Sequence, residues 1–144
     1  MKKLIAVAAV AIALAGCASV PMGDAKMDAQ AKTFVAPQDK TGLYIYRNES
    51  MGAVAKMTVA IDGQTVGQTA AKTFIYKEVP PGKHVITSSA ENTDTLEMDA
   101  KPGTLAFIWQ EVKMGILSAR SKLHLVTAEE GKRGVGETKL VNSN

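Results

Sequence analysis

Two histidines, one cysteine and a short run of carboxylates are the residues of this 144-residue chain whose types suit chemistry. A histidine acting as general base needs a serine and a carboxylate in reach to complete a nucleophilic triad. Ser88, Ser89, Ser118 and Ser121 are available to His84 and His124, yet none stands in the Gly-x-Ser-x-Gly turn that presents a nucleophilic serine. His84 follows a turn and is expected to bond local backbone. His124 alternates with Leu123 and Leu125 and is expected to face solvent beside Lys122. Two histidines without a His-x-His spacing make poor zinc ligands, and a single cysteine excludes a thiolate-rich metal site or an internal disulfide. No catalytic residue, metal or cofactor is expected.

Glu91, Asp94, Glu97 and Asp99 form a carboxylate group. Two carboxylates about 5 Å or about 6.5–9.5 Å apart could hydrolyse a glycoside. Glu97 and Asp99 do share a strand face, but Leu96 and Met98 occupy the opposite one, so the alternation of a half-buried strand accounts for the pattern. Arg120, Lys122 and His124 share a face of the last long strand, with Arg47 and Lys77 on others. They suit either an anionic envelope polymer or, preferably, cross-strand pairing with the acidic strand. Tyr44, Tyr46 and Tyr76 are candidate exposed aromatics for a contact surface, with a second half of the core as the alternative. Gly131, Gly134 and Gly136 have the wrong order and context for a phosphate loop.

The elements that position these residues begin after a leader. The chain is 46% hydrophobic, with 17 Lys+Arg against 14 Asp+Glu and a length suited to one domain. Lys2 and Lys3 precede an uninterrupted apolar run, Leu4 to Leu14. As a helix that run rises roughly 17 Å, short of the ~30 Å hydrocarbon core, and so reads as a signal peptide. Removing residues 1–16 leaves 15 basic against 14 acidic residues, so the basicity belongs largely to the leader and no nucleic-acid partner is expected.

Leu14-Ala15-Gly16-Cys17 resembles the lipobox of bacterial lipoprotein precursors. The resemblance implies cleavage after Gly16, diacylglycerol on the Cys17 sulfur and acylation of the new amino group, giving a membrane anchor. With Ser19 rather than Asp two places after the cysteine, it also implies the outer membrane, facing the periplasm. Residues 17–41 read as the lipidated N-terminus and a flexible tether. A short helix over Asp24 to Lys32 is conceivable there but has no wide apolar stripe. As a coil, its ~24 residues would span about 27 Å.

Residues 42–144 read as one small all-β sandwich of about eight strands with a short C-terminal helical turn. Leu43–Arg47 is a strand with Leu43 and Ile45 on one face. Met57, Val59 and Ile61 alternate with Thr58 and Ala60, and Asp62-Gly63 supplies a two-residue hairpin turn. Strands follow over Gln64–Gln68, Phe74–Val79, His84–Ser89 and Leu96–Asp99, with Pro80-Pro81-Gly82 and Pro102-Gly103 as punctuation. Leu105–Val112, apolar on both faces, is expected to be the most buried strand. Thr127-Ala128-Glu129-Glu130 is a capping box, and the three glycines after it are expected to keep the helix short. A last edge strand is expected at Thr138–Val141.

The succession Gly42-Leu43-Tyr44-Ile45-Tyr46-Arg47, Ile61-Asp62-Gly63 and Pro80-Pro81-Gly82-Lys83-His84 resembles domain-of-unknown-function family 2846, bacterial lipoproteins with a small β-sandwich, over about Gly42 to Val141. The turn chemistry also resembles PEGA domains, although their Pro-Glu-Gly-Ala signature is absent. The family brings no catalytic residues. The expected function is a membrane-anchored periplasmic lipoprotein whose non-catalytic sandwich binds a protein or envelope polymer. The alternative is a structural or stress-related envelope lipoprotein without a discrete ligand, and a cell-wall hydrolase ranks last.

Overall fold

The computed structural model describes residues 19–50 and 55–143. The leader, the cleavage point at Gly16 and the lipidation candidate Cys17 lie outside the described residues.

Two sheets face each other. β1 (Thr41–Arg47), β4 (Thr73–Val79), β7 (Thr104–Met114), β8 (Ala119–Val126) and β9 (Lys139–Leu140) form one, in the order β8-β7-β1-β4-β9. β2 (Met57–Ile61), β3 (Gln64–Thr69), β5 (Gly82–Ser89) and β6 (Thr93–Ala100) form the other, in the order β3-β2-β5-β6. Two helices complete the chain, α1 (Ala25–Ala31) and α2 (Ala128–Gly136). The all-β sandwich with a C-terminal helix is therefore what folds.

Most local expectations rest on simple causes. Asp62 (φ 51°) and Gly63 (φ 80°) both take left-handed backbone, and Ile61 pairs with Gln64 across them, as a two-residue hairpin requires. Along β2, Met57, Val59 and Ile61 are buried while Thr58 and Ala60 are half-buried. Between the sheets, Leu43, Ile45, Ile75 and Ile108 meet Val59, Val66, Ile86 and Met98. A polar chain crosses this core: Thr69 Oγ1 donates to Gln110 Oε1 (2.5 Å), Gln110 Nε2 donates to Ser88 Oγ (2.7 Å), and Ser88 Oγ bonds Ser121 Oγ (2.5 Å). It ties β3 and β5 to β7 and β8, and its members satisfy one another, as buried polar groups must.

Three expectations are corrected. The most buried strand is β1, with every residue buried, rather than β7, whose Lys113 and Met114 are exposed. β1 lies between β4 and β7 and under both covering layers, whereas β7 runs beyond β1, which it pairs only as far as Trp109.

The five-stranded sheet also has a second core on its outer face, where Tyr44, Tyr46, Phe74 and Phe107 meet Val135 and Leu140. α2 covers part of it. The helix is short, nine residues ending at Gly136, and two of its glycines also let it lie on the sheet, because a Cβ on Gly131 would overlap Phe107 and one on Gly134 would overlap the Tyr46 ring.

The third correction concerns residues 19–41. Instead of a free tether, this stretch is packed on the domain. Val20 is buried in the main core, and Met22 bridges Val141. Asp24 caps α1 by accepting from Lys26 N–H (2.6 Å). Asp28 accepts from Leu140 N–H (2.7 Å), Lys32 Nζ pairs with Asp28 (2.8 Å) and donates to Thr138 O (2.6 Å), and Phe34 sits against Tyr44 and Phe107. Burial works against ionisation of Asp28, but Lys32 and the Leu140 N–H outweigh it and hold the carboxyl below its usual range.

Candidate functional site

The residues singled out by type do not converge. Glu97 and Asp99 are exposed on β6, an edge strand, and Asp99 pairs loosely with Lys101 (3.7 Å). Asp94 accepts from Leu123 N–H (2.7 Å), and Glu91 accepts from the β7–β8 turn. Both carboxylates are thus engaged with backbone, away from Glu97 and Asp99. Among the described residues no group of three His, Cys, Asp or Glu side chains is placed to hold a metal ion.

His84 is buried, with Nδ1 2.6 Å from Asp62 Oδ2 and Nε2 2.6 Å from Pro80 O. Two acceptors facing both ring nitrogens favour the imidazolium. The Asp62 bond first, then the Pro80 carbonyl, raise the pKa of His84, and that of Asp62 falls correspondingly. Neither nitrogen is free to act as a base, so the pair works as a clamp between two turns.

Arg120, Lys122 and His124 do share the outward face of β8, and the acidic partners of Arg120 and His124 lie in the turn before β6 and on β7. Arg120 pairs with Glu91 (3.6 Å), and His124 Nε2 lies 2.9 Å from Glu111 Oε1 while its ring stacks on Trp109. His124 is accordingly half-buried; Leu123 is buried as expected, whereas Leu125, expected inward, is exposed. Arg47 is no surface cation: it is fully buried and donates to Ala55 O (2.7 Å).

Tyr44 and Tyr46 are not exposed. They lie under the helices, where Tyr44 Oη donates to Ala31 O (2.6 Å) and burial, then nearby Glu130, pushes the Tyr46 phenol up to about 12. They belong to the second core, the alternative already weighed for them.

Tyr76 differs. It is half-buried and lines a cavity of about 390 Å³ between α1, the Thr33–Pro37 segment, β4 and the chain after β9. Met27, Ala31, Val35, Ala36 and Pro37 give this cavity an apolar wall, and Val35 is 74% exposed at its rim. Burial first, then Glu78, raises the Tyr76 pKa, so the phenol remains a donor at the cavity wall. Glu78 is the one charged side chain among the described residues lining it. Volume and lining match those of small-ligand or peptide sites. The sequence signal for this wall is an apolar set, Met27, Val35, Ala36 and Pro37, inside a stretch of linker-like composition. A second recess, about 310 Å³, has a mixed-charge lining that includes Asn48, Trp109, Glu130, Arg133 and Glu137.

A two-sheet sandwich with a helix-roofed outer face and a cavity at its edge is the class this geometry defines. Residues 37–122 match the family model described as a protein of unknown function, DUF2846, and the chain belongs to that family. An uncharacterised protein of Haemophilus influenzae is 34% identical over 138 residues, covering 94% of this chain and 82% of that protein. No solved structure matches the chain.

Proposed function

We propose that this chain is a lipid-anchored envelope lipoprotein, held at the periplasmic face of the outer membrane through Cys17, whose sandwich is a non-catalytic module that binds a segment of another envelope protein. The observation that carries the binding role is the ~390 Å³ cavity lined by Met27, Val35 and Tyr76. Among the described residues lining it, the one charged side chain is an acid, Glu78, which disfavours anionic glycan or lipopolysaccharide and suits a neutral or basic apolar peptide. The pairing of Arg120 and His124 with Glu91 and Glu111 points the same way, since it leaves a mixed rather than a cationic surface there. The dispersal of Glu91, Asp94, Glu97 and Asp99 supports a non-catalytic reading over a hydrolase.

A photo-crosslinking residue at Val35 in intact cells should give a discrete protein adduct that Ala31→Trp, which fills the cavity, removes. The same residue at Lys101 should not give it. Identical adducts from both positions, or none from Val35, would overturn the binding role. The anchor is tested separately: labelled fatty acid should be incorporated into the wild-type chain, and Cys17→Ser should lose both label and membrane retention.

A further inference from the structure

The turn between β7 and β8 holds two large apolar side chains in water. Ile116 is 91% exposed and Leu117 93%, with Met114 beside them at 75%. Loose loops usually fold such residues back onto the surface. Here the backbone is fixed: Gly115 N–H donates to Ser118 O (2.8 Å), and the Glu91 carboxylate accepts from Ile116 (3.2 Å), Leu117 (3.0 Å) and Ser118 (2.8 Å) N–H. Glu91 reaches them from the neighbouring β5–β6 turn, and Arg120 supports it at 3.6 Å. One carboxylate satisfying three successive amides makes a rigid tip that presents its apolar side chains outward.

Lys113 and Arg120 face each other across the base of this hairpin. Lys113 lies 3.7 Å from Glu111 and is exposed, whereas Arg120 is engaged with Glu91. Lys56 and Lys72 are also exposed at this end of the sandwich. The strand pairings fix which end it is. β1 runs parallel to β7, Arg47 at its end pairs with Thr73, and Met57 pairs with Thr69, so the β3–β4 turn and the start of β2 lie at the β7–β8 end. Ser19 lines a recess with Ala70, Ala71, Lys72 and Thr73, so the described chain begins at that end too. Val20 is buried only three residues after Cys17, a stretch that reaches at most about 10 Å.

From the fixed turn, its apolar residues, the exposed Lys56, Lys72 and Lys113 at this end and the start of the described chain there, the geometry points to the Met114–Ser118 tip as a membrane-contacting element that dips Ile116 and Leu117 into an anionic bilayer surface. This deepens the lipoprotein reading, but it stands on the tip itself and does not need the acyl chains. Apolar side chains at the headgroup boundary with cations beside them are the general recipe for peripheral binding.

Flotation with phosphatidylglycerol vesicles tests it. The full chain carrying Cys17→Ser, to which no acyl chain can attach, is compared with the same chain carrying Ile116→Ser and Leu117→Ser. Both contain the same leader, and lipid is set where the parent is half bound. The double variant should need roughly tenfold more lipid, with an unchanged melting temperature because both positions are exposed. Equal flotation would overturn the proposal.

As a second readout, an environment-sensitive dye on Leu117→Cys in the Cys17→Ser chain should shift to the blue on adding vesicles, and one on Lys101→Cys should not. No shift at 117, with protection only by a protein partner, would reassign the tip to protein docking. Because fatty-acid labelling reports on Cys17 alone, loss of the anchor reading would leave this result standing.

Discussion

Replacing Phe34 by alanine distinguishes a packed N-terminal segment from a tether. Phe34 is half-buried, and its ring centroid lies 5.5 Å from that of Tyr44 and 5.9 Å from that of Phe107. Truncating a fully buried phenylalanine costs ~3–5 kcal/mol, ring contacts included, so half-burial suggests about 2 kcal/mol. Phe34 has φ 53°, but alanine would carry the same left-handed strain, so that contribution cancels. For a domain of this size, about 2 kcal/mol lowers the melting temperature by roughly 6–8 °C. Calorimetry of the wild type and Phe34→Ala gives the number. Amide exchange gives the location: the Leu140 N–H, bonded to Asp28, should be protected in the wild type and exchange faster in the variant. A midpoint within about a degree of wild type, with Leu140 N–H already unprotected, would refute the docking and restore the tether.

Three further outcomes are expected. The His84–Asp62 clamp should make stability depend on pH from both sides. His84 is raised above its ordinary 6.5, so its contribution is full below that value and fades as pH climbs through the raised folded pKa. Asp62 is lowered below 3.8, so its contribution is full above that value and fades as pH falls through the lowered pKa. The stability gap between wild type and His84→Asn should therefore be widest between those two ordinary values and narrow in more alkaline buffer, as read by urea titration; a gap that widens there would contradict the clamp. Within α2, Gly134→Ala should destabilise by about 1–3 kcal/mol through overlap with Tyr46, whereas Gly136→Ala, with open space at its Cβ, should stabilise by about 0.5–1 kcal/mol. Gln110→Leu strips partners from Thr69 and Ser88 in the core and should cost about 2–4 kcal/mol in denaturant unfolding, with a mutational cycle against Ser88→Ala showing non-additivity.

Local chemistry with one dominant cause was legible in the sequence. Asp62-Gly63, the alternation of Met57–Ile61 and the Thr127 cap each follow from a single rule about φ, period or orphan amides. What failed needed knowledge of a second layer. Leu43-Tyr44-Ile45-Tyr46 is apolar at every position, the same signal that marks β7 as doubly buried, yet on sequence alone the tyrosines fit a contact surface as well as a second half of the core. Their cover comes from α1 and α2, distant in sequence. Gly131 and Gly134 likewise show only their effect on helix length in the sequence, because their close approach to Phe107 and Tyr46 exists only once the sheet is in place. α1 itself was legible between Asp24 and Lys32, but its docking, by Asp28 and Lys32, leaves no apolar stripe to read, and so the cavity beneath it stayed hidden.

That mode of docking bears on how the cavity works. α1 contains no buried residue and is held to the strand beneath it by polar bonds from Asp28 and Lys32 and by the Tyr44 phenol. Polar contacts at a half-exposed edge contribute little beyond what water would offer in their place, about 0.5–1.5 kcal/mol each. The sheet below is fixed from both sides, by the β1 packing and by the Thr69–Gln110–Ser88–Ser121 chain through the core. Opening is therefore expected at the roof, while the floor formed by Tyr44 and Tyr76 keeps its shape. A cavity built this way can admit side chains of different size by moving α1 and the Thr33–Pro37 segment, at a cost of a few hydrogen bonds. Cross-linking α1 to β9 with a disulfide should then weaken binding of a bulky partner while raising the melting temperature, a separation that a rigid preformed pocket would not give.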